Sequence, residues 1–156
     1  MIGVIGAGAC PPAIENLAAE VGREIAHSGG ILVCGGLGGV MAAAARGAKE
    51  GGGITVGILP GPVIHDANAY IDFPIATNMG HARNAIIAQT AEALIAVSGG
   101  YGTLSEIALA LKMGKGVVTL CCEFNIPGIR TAVGAREAVR EALAMVRASA
   151  ARTVMV

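Results

Sequence analysis

Short runs of β-branched and other apolar residues alternate with longer segments of helical periodicity along most of the chain. The short runs are almost continuously apolar, as strands are when helices cover both faces of a sheet. We therefore predict one α/β domain over residues 1–156, a doubly wound, mostly parallel sheet with helices on both faces. The predicted strands are 2–5, 31–34, 54–59, 71–75, 93–97, 117–121 and 153–156, and the predicted helices are 12–28, 40–50, 82–90, 104–113 and 135–148.

Glycine clusters directly after three of the predicted strands, at residues 6–8, 35–39 and 99–102. In an open parallel sheet the carboxyl ends of the strands share one edge, where ligands bind, so the three loops are expected to converge there. A glycine-rich turn lets backbone amides approach an anion at the start of the next helix. Glycine can also serve only to tighten short turns, but three convergent loops favour a phosphate or nucleotide site.

The first glycine loop is not a standard dinucleotide-binding turn. Pro11 stands where the third glycine of Gly-x-Gly-x-x-Gly belongs, and residues 26–49 contain no Asp or Glu to hold a ribose hydroxyl. The sequence also lacks the Gly-x-x-x-x-Gly-Lys-Ser/Thr loop. These differences argue against NAD binding and against P-loop ATP hydrolysis.

Two polar motifs are expected near the same sheet edge. Arg83 lies in the first turn of the predicted helix 82–90, and its forked, permanently charged donors suit a phosphate. The segment from Thr103 to Glu106 has the pattern of a capping box, in which Thr103 caps the helix and Glu106 bonds back to the cap amide. Glu106 could equally accept hydrogen bonds from a ribose or act as a general base. The pattern leaves both interpretations open.

The charge balance argues against several classes of partner. The chain has 11 Lys and Arg against 11 Asp and Glu, so we expect neither a nucleic-acid face nor a polybasic membrane anchor. No apolar stretch approaches the roughly 20 residues of a membrane span, and the start of the chain does not resemble a signal peptide. Only 14% of the residues are charged, which predicts that a second copy covers part of the exterior, in a homo-oligomer (a dimer or tetramer).

Four cysteines lie in or beside predicted buried strands: Cys10, Cys34, Cys121 and Cys122. They form no Cys-x-x-Cys pair, which favours buried free thiols and a cytoplasmic location. Cys10 and Cys34 adjoin glycine loops, but packing is a simpler role for them than contact with a cofactor. His65 and His81 have no ligand spacing around them, so we expect no metal site.

Three motifs together resemble the Lonely Guy-like superfamily of Rossmann-type proteins. They are Gly-Gly-Leu-Gly-Gly-Val-Met at 35–41, Ala-Arg-Asn at 82–84 and Gly-Gly-Tyr-Gly-Thr-Leu-Ser-Glu at 99–106, and the similarity extends to about Cys122. Within the superfamily the chain is most similar to the branch that includes molybdenum-cofactor carrier proteins. The stretch 68–70, Thr77 and the pair Arg83-Asn84 are typical of that branch.

This resemblance implies a Rossmann-like domain that binds a phosphate-bearing small molecule, either a nucleotide or the molybdenum cofactor, and that needs no cofactor to fold. It also implies a dimer or larger oligomer. The implied binding residues are Gly6, Gly8, Gly35, Gly36, Gly38, Gly39, Met41, Arg83, Asn84, Gly99, Gly100, Gly102, Thr103 and Glu106.

The enzymatic branch of the superfamily cleaves the N-glycosidic bond of cytokinin nucleotides or nucleoside 5′-monophosphates. Its signature is Pro-Gly-Gly-x-Gly-Thr-x-x-Glu with an upstream Arg-Lys pair. This chain keeps the glycines, Thr103 and Glu106, but has Ser98 for the proline and Asn84 for the lysine. If the chain is an enzyme, the resemblance makes Arg83 and Glu106 the catalytic residues; the two departures favour binding without chemistry.

Relatives in this superfamily are often labelled lysine decarboxylases. Nothing in the sequence supports that activity, because the lysines lie on predicted helical or turn surface without a pyridoxal-phosphate context: Lys49, Lys112 and Lys115.

Overall fold

The computed structural model describes residues 1–153, with side chains up to residue 151. Its strands are β1 (Ile2–Gly6), β2 (Ile31–Cys34), β3 (Ile54–Leu59), β4 (Phe73–Ala76), β5 (Ala93–Val97), β6 (Gly116–Leu120) and β7 (Ile129–Thr131). Its α-helices are α1 (Pro12–His27), α2 (Val40–Glu50), α3 (Asn84–Thr90), α4 (Tyr101–Lys112) and α5 (Ala135–Thr153), with 3₁₀ turns at Ile64–Asp66 and Gly80–Arg83.

The seven strands form one sheet in the order β4-β3-β2-β1-β5-β6-β7, and every neighbouring pair is parallel. The predicted doubly wound α/β architecture is confirmed, and the sheet is wholly rather than mostly parallel.

Two predictions at the chain's C-terminal part need correction. Strand β7 was not predicted: it has only three residues, two of them exposed, so the sequence shows no apolar run there. The predicted edge strand 153–156 is wrong at Thr153, which ends α5, and the rest of it lies outside the described residues.

Alternating residues of the strands build a core on each face of the sheet. Val4 belongs to the cluster that α1, α2 and α5 cover, whereas Ile5 belongs to the cluster that α3 and α4 cover. Both side chains are at most 2% exposed. Successive side chains of a strand point to opposite faces, so an uninterrupted apolar run is what a sheet with helices on both sides requires.

The strand order reverses between β1 and β5. Strands β2, β3 and β4 lie in that order on one side of β1, and β5 lies on the other side of β1. Gly6 at the end of β1 pairs with Val97 at the end of β5. The loops that follow these strands therefore diverge over opposite faces and leave a crevice, which is where open α/β sheets bind ligands.

The cysteines differ in their environments. All four are free thiols; Cys34 is fully buried and Cys10 and Cys122 are half-buried. The expectation that all four are buried is wrong for Cys121, which is exposed because it lies just beyond the end of β6, where the chain leaves the sheet with a positive φ of 51°.

Within residues 1–153, none of the helices combines the length and hydropathy needed to cross a bilayer.

Candidate phosphate-binding cavity

A cavity of about 230 Å³ lies at the carboxyl ends of β1 and β5, where the strand order reverses. Ten of the fourteen residues implied by the sequence line it: Gly6, Gly8, Gly35, Met41, Arg83, Asn84, Gly100, Gly102, Thr103 and Glu106. The tertiary structure thus brings together one or more residues from each of the three glycine loops and from the segment that carries Arg83.

The other four implied residues do not line the cavity: Gly36, Gly38, Gly39 and Gly99. One of these glycines, Gly39, is required by the packing between loops. Its φ is +59°, and a Cβ at this position would lie 2.4 Å from the carbonyl oxygen of Ala7. The next residue, Val40, donates its amide to that same oxygen at 3.0 Å. Glycine at 39 therefore lets the first two loops pack against each other.

Three of the lining glycines have room for a side chain. A Cβ built at Gly8, Gly100 or Gly102 would meet no atom of the described residues within 4 Å, and none of the three has a φ in the left-handed region. Neither packing nor a left-handed φ accounts for the residue type at these positions. At each of these three lining positions, the place that a side chain would take is open space.

Arg83 ends the 3₁₀ turn Gly80–Arg83, and its side chain is buried in the cavity wall, with 9% of the residue exposed. Its Nη1 donates to the Oδ1 of Asn84, and its Nη2 donates to the carbonyl oxygen of Gly35 at 3.4 Å. Its Nε is buried and has no partner among the described residues. Burial lowers the pKa of the guanidinium, and the charge of Glu106 opposes that change.

Gly35 makes room for this guanidinium. A Cβ at residue 35 would lie 2.5 Å from Nη2 of Arg83 and 2.6 Å from the sulfur of Met41. Any larger residue would displace Arg83 from the cavity wall.

Glu106 lies on the second turn of α4 and is 6% exposed. Burial raises the pKa of its carboxyl to about 7, and the nearby Arg83 guanidinium opposes that rise. The described part of the chain offers this carboxylate no hydrogen-bond partner. With this pKa the carboxyl is about half ionised near pH 7. In the wall of a cavity it can accept hydrogen bonds from a ligand or exchange a proton with it.

The predicted capping box is wrong. Helix α4 begins at Tyr101, its N-cap is Gly100, and no side chain in the described part of the chain caps it. The chain turns sharply after β5, with φ of 55° at Ser98 and 126° at Gly99, and the amide of Leu104 already bonds to the Gly100 carbonyl oxygen at 2.9 Å. Thr103 is therefore the third residue of the helix, too late to cap it, and Glu106 cannot reach the cap amide.

The N-terminus of α4 opens into the cavity through Gly100, Gly102 and Thr103. The first amides of a helix have no partner within it, and the helix dipole places partial positive charge there. This end is tied to the start of α3, because Nδ2 of Asn84 lies 3.5 Å from Oγ of Ser105, which donates to the Gly102 carbonyl oxygen at 2.7 Å. Arg83 and the helix N-terminus thus bring two sources of positive potential to one cavity.

Sequence reasoning missed four lining residues: Val4, Ile5, Ala7 and His81. Ala7 lies between two glycines that were singled out, and His81 lies two residues before Arg83, so position in the motifs could have included them. Val4 and Ile5 read only as core residues, and nothing in the sequence separates them from other strand residues.

Cys34 is not part of the cavity wall. It is fully buried, its sulfur accepts the Gly36 amide at 3.4 Å, and burial raises the pKa of the thiol to about 11. A neutral, buried thiol acts as a small apolar side chain in the core.

Comparison with known proteins identifies relatives of two kinds. The molybdenum cofactor carrier protein of Chlamydomonas reinhardtii superposes with a TM-score of 0.84 at 37% identity, covering 94% of this chain and 97% of that chain. A cytokinin riboside 5′-monophosphate phosphoribohydrolase of Mycobacterium tuberculosis is 41% identical over 100 residues, which are 59% of this chain and 51% of that enzyme.

An uncharacterized protein of Archaeoglobus fulgidus is 52% identical over 138 residues, covering 88% of this chain and 91% of that protein. These similarities confirm the resemblance drawn from the glycine and arginine motifs. The model of the SLOG cluster4 family matches residues 1–153, and the chain belongs to this family.

Proposed function

We propose that this protein binds a small phosphate ester, either a nucleotide or a pterin-type molecule such as the molybdenum cofactor, with its phosphate in the cavity described above. The observation that carries this proposal is the Arg83 guanidinium, which is more than nine-tenths buried in the cavity wall while its Nε has no partner among the described residues. Burying a charged guanidinium is costly, and an anionic ligand in the cavity that Arg83 lines would offset that cost.

The remaining wall fits the same ligand chemistry. Amides at the N-terminus of α4 and the open positions at Gly8, Gly100 and Gly102 allow phosphate oxygens to approach the backbone. The same residues would hold the terminal phosphate of a nucleotide or of the molybdenum cofactor. The similarity to a molybdenum cofactor carrier protein supports the pterin ligand, while the similarity to phosphoribohydrolases supports the nucleotide.

Thermal unfolding with sulfate, AMP, GMP and a pterin phosphate tests the proposal. A ligand that binds only the native state must raise the melting temperature. Arg83→Gln should weaken the affinity by about 10- to 100-fold, the range expected when a hydrogen bond to a charged group is lost. The matched control is Arg136→Gln, which removes the same charge from a side chain 88% exposed on α5. Unchanged melting with every anion contradicts the proposal.

A second function, hydrolysis of nucleoside 5′-monophosphates, is favoured by Glu106. Its buried carboxyl lines the cavity beside Arg83 with no hydrogen-bond partner in the described chain, so it could stabilise positive charge developing on a ribose or activate water. We rank this function second because Asn84 and Ser98 stand where the enzymes' signature has Lys and Pro.

Chromatography of AMP incubated with the protein separates the two functions. Recovery of intact AMP supports binding alone. Release of adenine by the wild type, reduced by orders of magnitude in a folded Glu106→Gln variant, would instead make the protein a phosphoribohydrolase.

A further inference from the structure

Tyr101 has an unusual position for an exposed aromatic residue. It is 92% exposed, against 59% for Phe73 and 39% for Tyr70, the other aromatic side chains with large exposure. It is the first residue of α4, and both of its chain neighbours, Gly100 and Gly102, line the cavity. Its Cα therefore lies one peptide unit, about 3.8 Å, from the Cα atom of each of these two lining residues.

The size of the cavity leaves part of any nucleotide-like ligand outside it. Sites that enclose a drug-sized ligand measure about 300–1,000 Å³, whereas this cavity measures about 230 Å³. In the proposed binding mode the Arg83 guanidinium and the amides of the α4 N-terminus hold the phosphate inside the cavity. In that binding mode the heterocycle at the other end of the ligand lies outside the cavity, and Tyr101 is an exposed aromatic residue between the lining residues Gly100 and Gly102.

The residues on either side of Tyr101 are glycines with open space beside them. A Cβ at Gly100 or Gly102 would meet no atom of the described residues within 4 Å, so neither position places a side chain next to Tyr101. Aromatic side chains bind planar bases by stacking, which contributes to affinity without requiring a particular base.

We propose that Tyr101 is a specificity-determining residue, whose ring stacks on the planar heterocycle of a phosphate ester bound in the cavity. The inference rests on the proposed function and assigns recognition of the heterocycle to one side chain: phosphate esters that carry a heterocycle bind more tightly than sugar phosphates that lack one.

Calorimetric titration with AMP and with ribose 5-phosphate tests this role, because the two ligands share the phosphoryl-ribose end and differ in the heterocycle. Tyr101→Ala should weaken AMP binding by about tenfold and leave ribose 5-phosphate binding within about twofold. Tyr101→Phe, which keeps the ring, should retain AMP affinity. The matched control Tyr70→Phe should affect neither ligand.

Tyrosine fluorescence gives a direct readout, since the chain has two tyrosines and no tryptophan. In the Tyr70→Phe variant the emission comes from Tyr101 alone, and AMP should quench it more than ribose 5-phosphate does.

Each contrary outcome has a distinct meaning. If the wild type binds both ligands and Tyr101→Ala changes their affinities equally or not at all, the stacking role is wrong and the phosphate site stands. If the wild type binds neither ligand nor any other phosphate ester, the proposed function fails and takes this inference with it. If Tyr101→Ala lowers the oligomer mass in light scattering without changing the AMP to ribose 5-phosphate ratio, the ring is covered by a second copy and the inference is overturned.

Discussion

Arg83 and Glu106 line the same cavity with opposite effects on each other's ionisation. The guanidinium lowers the pKa of the carboxyl and the carboxylate raises the pKa of the guanidinium, yet burial outweighs both effects. Each group is more than nine-tenths buried, and the described residues form no ion pair between them. The site therefore holds two buried ionisable groups that no ion pair within the described residues joins, which is the arrangement expected where a ligand supplies further contacts.

We expect Glu106→Gln to stabilise the protein above pH 7 relative to the wild type. The folded-state pKa of about 7 lies above the ordinary value of 4.5, so the contribution of Glu106 to stability is fully present below pH 4.5 and is lost as the pH rises through 7. The neutral amide does not titrate. The variant should exceed the wild type in free energy of unfolding by on the order of 3 kcal/mol more at pH 8 than at pH 4.

Denaturant unfolding at these two pH values measures the difference. Glu20→Gln, at an exposed position on α1, serves as the control. A Glu106→Gln effect of the same size at both pH values would show that the carboxyl does not titrate in this range.

Sulfate binding should weaken as the pH rises through about 7. Sulfate keeps its charge over this range, so the change comes from the protein: an ionised Glu106 in the cavity wall repels the anion, whereas the neutral acid does not. We expect a rise of at least about tenfold in the wild-type Kd between pH 5.5 and 8.5. His81 lines the cavity in the wild type and in Glu106→Gln alike. A smaller change of Kd with pH in Glu106→Gln than in the wild type therefore measures the effect of the Glu106 carboxyl. Parallel pH profiles for the two proteins would contradict the prediction.

Gly102→Ala should stabilise the unliganded protein and weaken anion binding. Gly102 is the second residue of α4, where alanine is the better helix former by up to about 1 kcal/mol. Its Cβ would enter open space in the cavity, and we expect anion affinity to fall by more than about tenfold. Gly134→Ala is the matched control, since a Cβ there also meets no atom within 4 Å but lies away from the cavity. Thermal unfolding measures the change in stability, and sulfate titration measures the change in affinity. An unchanged affinity would mean that the anion does not approach the open position at Gly102.

We predict that the homo-oligomer expected from the low charge content forms through an edge of the sheet. Phe73 and Ile75 on the edge strand β4 are 59% and 47% exposed, and an apolar edge strand favours association. Light scattering should show a dimer or tetramer for the wild type and a monomer for the Phe73→Lys, Ile75→Lys double variant. Val133→Lys, at a site 97% exposed elsewhere on the surface, should keep the wild-type mass. A monomeric wild type would refute the prediction.

Apart from the short strand β7, the sequence by itself determined the order of strands and helices through α5 and the edge of the sheet where the glycines gather. These features depend on local periodicity: an apolar run such as Ala93–Val97 is a strand buried on both faces, and glycine after a strand permits a tight turn. Parallel connectivity then places the ends of such strands at one edge. The convergence of the glycine loops with Arg83 was predictable for this reason.

Only the tertiary structure decided what the side chains at that edge do. Thr103 and Glu106 have the pattern of a cap, but the turn at Ser98 and Gly99 starts α4 at Tyr101 and moves both residues into the helix interior. The pKa of Glu106 is then raised because the residue is buried in a cavity whose walls come from distant parts of the chain. Burial and electrostatic potential depend on every group packed around a residue. The four-residue pattern from Thr103 to Glu106 therefore could not distinguish a helix cap from a buried carboxyl that lines the same cavity as Arg83.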